Sequence, residues 1–194
     1  MDNPVIRAVR EHAGYTVNPL RYKILHRKTS LAVISDELNA QLFDANDLRA
    51  IEAYIPWTRL LSERHTTYQG QRIDLVPFLS ANKNDFVLKP SDEYGGKGIV
   101  LGWDVNQSEW NAALKAYLAD PTIVQKRITI PSEPYPSLVN GQLQTYDRML
   151  DTDPYIFYGS YMSSCLTRIS TAALLNVTAG GGSTVPTFVI EKRG

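Results

Sequence analysis

The sequence predicts an α+β protein in which antiparallel sheets with flanking helices are preceded by a small helical lobe. In the first third, Ile24, Leu25, Leu31, Ile34 and Leu38 recur at helical spacing, with Arg21, Lys23, Arg27 and Lys28 between them. From Phe86 onward, short β-rich runs are separated by glycine and proline. One helix interrupts those runs, announced by Asn106 and Glu109 in capping-box spacing. A chain of 194 residues suits one generous domain or two small ones. The change of character places a boundary at 84/85, with residues 1–84 a mainly helical lobe or linker and 85–194 the sheet-bearing portion.

Within the first segment, Asp44 is positioned to cap a second helix that runs to about Tyr54, and Pro56 stops it. Between Leu60 and Ser80 the pattern weakens. Phe86–Leu88 and Ile99–Leu101 then read as two strands joined by a glycine-rich connection. Trp110, Leu114 and Leu118 form the buried stripe of the capped helix, which ends near Asp120-Pro121. Further strands are expected at Thr122–Ile130, Leu143–Leu150, Tyr155–Tyr161 and Thr187–Ile190, with Asp151-Thr152-Asp153-Pro154 a turn.

Hydrophobic residues at 43% and charged residues at 21% are ordinary for a globular chain, which argues against disorder and coiled coil. Twenty basic residues balance twenty acidic ones, so a general nucleic-acid-binding surface is disfavoured. Residues 3–30 are locally basic, with six Arg or Lys against Glu11, which fits a solvated helix face as well as an anionic partner. The single cysteine, Cys165, excludes an internal disulfide framework and a Cys-built zinc site. The amino terminus lacks the layout of a secretory signal, and no apolar run approaches a membrane span, so the expectation is a cytoplasmic chain with no membrane partner. His12, His26 and His65 show no metal-ligand spacing.

The most informative stretch is F-V-L-K-P-S-D-E-Y-G-G-K-G-I-V-L-G, residues 86–102. A strand delivers Lys89, a proline stiffens its exit, and Gly95, Gly96 and Gly98 surround Lys97. Glycines allow backbone N–H groups to approach an anion, and lysines supply point charges for phosphate oxygens. The stretch is neither a G-x-x-x-x-G-K-S/T loop nor a Rossmann turn, because no helix opens on it. The same residues also fit a glycine-rich hairpin with exposed lysines.

This segment resembles the circularly permuted ATP-grasp proteins related to glutathionylspermidine synthase and eukaryotic glutathione synthetase. The resemblance extends to I-P-W-T-R at 55–59, I-V-Q-K-R-I at 123–128, and C-L-T-R-I-S followed by N-V-T-A-G-G-G-S between 165 and 183. It implies an ATP-grasp fold, ATP and Mg²⁺ as cofactors, and a ligase that joins a small-molecule carboxylate to an amine. It further implies that Lys89 contacts the nucleotide phosphates and that Gly95, Gly96, Lys97 and Gly98 form the loop closing over them. Glu93 takes the place of a magnesium-binding glutamate, and a surface Glu paired with Lys97 explains it equally. Gln125 and Lys126 fall near the adenine, although strand alternation puts them on opposite faces. Arg168 matches an arginine near the carboxylate or phosphates, and Gly180, Gly181, Gly182 and Ser183 match a second glycine-rich loop. Asn176 precedes that loop.

One departure matters. ATP-grasp catalysis uses a strand-borne Glu-x-Asn pair for magnesium, whereas Glu37-Leu38-Asn39 reads as the end of a helix and the other Glu-x-Asn, Glu109-Trp110-Asn111, falls in the capped helix. A second chain or a missing amino-terminal half would then complete the site, and an ATP-binding module without turnover is the alternative. Asp147-Arg148 is a lower-ranked candidate for metal or nucleotide contact.

Overall fold

Asn3 accepts hydrogen bonds from the N–H groups of Val5 and Ile6 at 2.9 and 3.4 Å, so helix α1 (Pro4–Arg10) starts with a capped end and a proline in its first turn. The computed structural model describes residues 3–171 and 182–191. A 3-10 turn at Leu20–Tyr22 leads into α2 (Lys23–His26), and α3 (Thr29–Ser35) is followed by a second 3-10 turn, Glu37–Leu42. The expected helical stripe is therefore broken at Arg27, whose backbone is extended, and Ile24, Leu25 and Leu38 are exposed. Helix α4 (Ala45–Tyr54) matches its expected bounds because Asp44 and Asp47 form a reciprocal capping box.

The weakly patterned stretch contains β1 (Thr58–Leu60), a hairpin of β2 (His65–Tyr68) and β3 (Gln71–Asp74), and α5 (Leu75–Ala81). The hairpin turns on Gln69 and Gly70, both at positive φ (48° and 78°), the backbone that a two-residue turn between twisted strands requires. A 3-10 turn at Lys83–Asp85 precedes β4 (Phe86–Pro90) and its antiparallel partner β5 (Val100–Leu101). Asn106 and Glu109 cap α6 (Gln107–Tyr117) as the sequence predicts, and β6 (Thr122–Lys126) follows. These strands form an antiparallel sheet in the order β1-β6-β4-β5.

The remaining strands, β7 (Ser132–Val139), β8 (Gln142–Phe157), β9 (Tyr161–Ser170) and β10 (Gly182–Val185), form a second antiparallel sheet in the order β10-β9-β8-β7. Pro134 and Pro136 lie on β7, an edge strand where a missing N–H is tolerated. Asp151-Thr152-Asp153-Pro154 is not a turn but the middle of β8. Because β7 reaches only Met149, Pro154 has a strand neighbour on one side alone, again an edge position. The turn falls instead at residues 158–160, inside the strand expected at Tyr155–Tyr161, and Thr187–Ile190 is not a strand.

The chain divides into two compact units, Met1–Asp92 with Gly98–Arg127, and Glu93–Lys97 with Ile128–Gly194. The boundary expected at 84/85 falls inside the first unit, because β1 hydrogen-bonds to β6 and β6 to β4, so one sheet draws strands from both sides of it. The core of this unit is built on one face of the sheet, where Phe86, Leu88 and Val124 pack with Leu75, Leu79, Trp110 and Leu114. Trp110 is fully buried, and its indole N–H is satisfied by the Leu79 carbonyl at 2.9 Å. Trp57, Tyr68, Phe78 and Phe86 extend the core as edge-on and tilted rings 5.0–5.7 Å apart. No helix among the described residues is long and apolar enough to cross a membrane.

Gly102 follows β5 and packs against the 3-10 turn, where a Cβ would lie 1.8 Å from the Lys83 carbonyl oxygen. Gly102→Ala is therefore expected to abolish cooperative thermal unfolding followed by circular dichroism. Gly70→Ala, with open space around it, should cost only about 1–2 kcal/mol for its left-handed backbone.

Candidate functional site

Strand alternation turns Val87 and Lys89 away from the aromatic core, together with their cross-strand neighbours Gln125 and Ile123 on β6 and Thr58 on β1. On this face Lys89 Nζ donates to Gln125 Oε1 at 2.8 Å, Gln125 Nε2 donates to Thr58 Oγ1 at 2.9 Å, and the Thr58 hydroxyl donates to the Pro56 carbonyl at 2.6 Å. Gln125 and Thr58 are buried and Lys89 is half-buried. Among the described residues Lys89 has no ion-pair partner. Burial, and secondarily the charge of Lys28, push the Lys89 ammonium below the usual lysine range. Lys28 is brought there by its own backbone, whose N–H donates to the Ser91 carbonyl at 3.0 Å, while the Thr29 and Ser91 hydroxyls meet at 2.9 Å. Thr58 falls within I-P-W-T-R, but no role attaches to it from sequence alone, and the Lys28–Lys89 approach has no local signal, since both contacts join distant strands and helices.

Behind this row lies a buried ionic network. Ser35 Oγ and Arg59 Nη1 donate to the Thr58 carbonyl at 2.9 and 2.8 Å, and Arg59 Nη1 also donates to the Ser35 carbonyl at 2.7 Å. Arg59 pairs with Glu37 at 2.6 Å and donates through Nε to Thr66, whose hydroxyl donates to Glu37. Arg64 grips Asp36 through both terminal nitrogens. Burial raises both carboxyls, but Arg64 and the Leu38 N–H for Asp36, and Thr66, the Arg59 charge and the Thr67 N–H for Glu37, outweigh it and hold each below the usual carboxylate range. Glu37-Leu38-Asn39 thus sits in a 3-10 turn with Glu37 committed to Arg59, while Asn39 Nδ2 donates to the Val33 carbonyl at 2.8 Å.

The glycines of the loop have left-handed backbones, Gly95 at φ 65°, Gly96 at 81° and Gly98 at 66°. Gly98 is held on Pro90: its carbonyl accepts from Tyr117 Oη at 2.9 Å, and a Cβ would meet Pro90 Cγ at 2.8 Å. At the other root, Asp92 accepts from Lys23 Nζ at 2.5 Å and Arg27 Nη2 at 3.4 Å, with His26 Nε2 at 3.6 Å. Residues 93–97 group with the second unit. There Lys97 Nζ lies 5.8 Å from the Tyr94 ring, and Glu93 is exposed. No group of three His, Cys, Asp or Glu residues that could hold a metal exists among the described residues.

Also in the second unit, Arg168 on β9 stands directly opposite Asp151 on β8. Its Nε donates to Asp151 Oδ1 at 3.0 Å, and Nη2 reaches Asp151 at 2.5 Å and Asp153 at 2.9 Å. These bonds raise the Arg168 pKa. Gly182 opens β10 opposite Ser170, with Ser183 next to it, whereas Asn176, Gly180 and Gly181 lie outside the described residues. In the first unit, Lys126 is on the face opposite Gln125, with its Nζ 6.0 Å from the Tyr68 ring, and Arg127 stacks over Trp103 at 4.1 Å. The structure therefore brings Lys89 and Gln125 together and turns the Lys126 side chain away from them. Arg148 is occupied by Ser137 and the Tyr146 ring.

No family model matches the chain, and no curated protein matches it. The chemistry must be read from the groups themselves: a half-buried lysine with a neutral partner, a second lysine beside it, and a left-handed Gly98 seated on the next residue, Pro90.

Arg59→Met should destabilise the protein by about 3 kcal/mol in denaturant unfolding, because it removes the buried guanidinium that pairs with Glu37. The depressed Asp36 and Glu37 carboxyls contribute stability that is complete above their unfolded values near ~4 and is lost as the pH falls through their lower folded values. Thermal melts from about pH 6 to about pH 3 should fall more steeply for the wild-type chain than for Arg59→Met.

Proposed function

We propose that this chain is the nucleotide-binding part of an ATP-grasp carboxylate–amine ligase of the circularly permuted type. The observation that carries the reading is Lys89, a half-buried ammonium with a neutral hydrogen-bond partner, next to Lys28 and directly before the proline on which Gly98 sits. Two cations held together with desolvation are a favourable seat for an anion, and left-handed glycines leave loop N–H groups open to one. Bound ATP would supply the phosphoryl group that converts a carboxylate to an acyl phosphate, which an amine then displaces.

In this reading Lys89 and Lys28 oppose the phosphate charge, Lys97 and the N–H groups of Gly95, Gly96 and Gly98 close over it, and Gln125 orients Lys89. Such positioned positive charge is what phosphoryl transfer asks of a protein. Arg168 suits a substrate carboxylate through two parallel hydrogen bonds, and a substrate would have to exchange with Asp151 and Asp153 for it. Magnesium takes one or two carboxylates together with phosphates and water, so Glu93 fits the smaller requirement as its ligand.

A second reading is favoured by the commitment of Glu37 to Arg59. The chain would then bind ATP and complete a ligase only with a second chain that carries the remaining magnesium ligands.

Calorimetric titration of ATP with and without Mg²⁺ tests both. Magnesium-dependent binding weakened at least about tenfold in Lys89→Ala is expected, and absence of binding under either condition would sink the nucleotide reading. ADP release with mixtures of acids and amines then separates a working ligase from a binding module.

A further inference from the structure

We infer that Thr58 and Gln125 are positioning residues that hold Lys89 as an oriented cation whose charge no neighbouring carboxylate cancels, Thr58 acting by fixing which end of the Gln125 amide faces the lysine. The argument follows the direction of each hydrogen bond. The Thr58 hydroxyl has one hydrogen, and the Pro56 carbonyl 2.6 Å away takes it. Toward Gln125 at 2.9 Å, Thr58 Oγ1 can then only accept, so the amide NH₂ must face Thr58. The amide oxygen is thereby turned to Lys89 Nζ at 2.8 Å. A flipped amide would set its N–H donors against the ammonium and leave a buried hydroxyl oxygen without its donor, two losses in a site where Thr58 is fully buried.

The choice of an amide has a consequence for charge. A carboxylate at position 125 would make the same hydrogen bond and cancel the ammonium, leaving little for a ligand. An amide orients Nζ and leaves the full charge, with two of its three N–H donors still to place. The charged group that acts on Lys89 is Lys28, from the segment leading into α3, and β6 presents Gln125. The row is further anchored through the Thr58 carbonyl, which accepts from Ser35 and Arg59, so the backbone carrying the hydroxyl is tied to the buried ionic network.

That the cation serves a phosphate rests on the nucleotide reading above; the positioning itself does not, and the experiment separates them. Trace acetylation of the full chain across about pH 7 to pH 11, read by mass spectrometry on the peptide carrying Lys89, gives the titration midpoint of that lysine. Thr58→Val, of similar shape without the hydroxyl, should lower the midpoint, because the amide is released and the ammonium loses its acceptor. Thr58→Ser should restore the wild-type value, and Gln125→Glu should raise it. Circular dichroism confirms that each variant is folded. A folded Thr58→Val whose midpoint equals that of wild type and Thr58→Ser overturns the inference. Calorimetry with inorganic tripolyphosphate is the second arm, with binding expected to weaken at least about tenfold in Gln125→Glu. Midpoints that move as stated while tripolyphosphate fails to bind wild type would uphold the positioning and remove the nucleotide reading. Wild-type binding that Gln125→Glu leaves unchanged would overturn the claim that the amide preserves the charge.

Discussion

The pairing of β6 between β1 and β4 is the constraint on which the first unit depends. It joins Thr58–Leu60 to Thr122–Lys126 across more than half of that unit's sequence, and it gives the sheet two faces of different character. One face carries Phe86, Leu88 and Val124 into the aromatic core, where each large side chain removed from water contributes about 1.5–3 kcal/mol. The other presents Thr58, Gln125 and Lys89 in a row. A slip of one residue in this pairing would exchange the faces, setting Lys89 among the aromatic rings and Phe86 against the polar row. Hydrophobic burial on one side thus fixes the position of the polar groups on the other.

The ionic network around Arg59 is costly to build, since desolvating two guanidiniums and two carboxylates opposes folding before any attraction is counted. Here nearly every donor has a partner: Arg59 reaches Glu37, Thr66, Ser35 and the Thr58 carbonyl, and Arg64 takes both oxygens of Asp36. The result ties α3, the 3-10 turn after it, β1 and β2 together through directional bonds. Apolar packing could supply comparable stability, but it would not fix the orientation of the Thr58 carbonyl or the entry of β1 into the sheet.

The elements legible in the sequence are those whose signals are local. Asp44 with Asp47 and Asn106 with Glu109 cap their helices within four residues, and both helices match the reading. Phe86–Leu88 and Ile99–Leu101 announce a strand pair because glycine and proline flank them. Strands β1, β2 and β3 are short and mix charged with apolar residues, so their periodicity is too brief to register, and their pairing partners are remote or turn on Gln-Gly rather than Asn-Gly. Pro154 and the flanking aspartates read as a turn because those residues favour turns locally, and an edge strand tolerates them. At the site, the lysine and its glycine loop are visible as a motif, whereas Thr58, seen only as part of I-P-W-T-R, gains a role once the sheet register sets it beside Gln125, 67 positions away in sequence.

The glycine loop occupies the place where the chain leaves the first unit at 92/93 and returns at 97/98. Its two roots are held by unlike forces. Asp92 is exposed and gripped by Lys23 and Arg27, an arrangement that salt screens and that contributes little to stability at a surface. Gly98 is fixed sterically on Pro90 and by the Tyr117 hydroxyl, contacts that ionic strength does not weaken. A loop of the kind proposed to admit an anion would gain from this asymmetry. The root next to Lys89 through Pro90 keeps its place relative to the lysine, while the root at Asp92 can exchange its cations without disturbing the sheet.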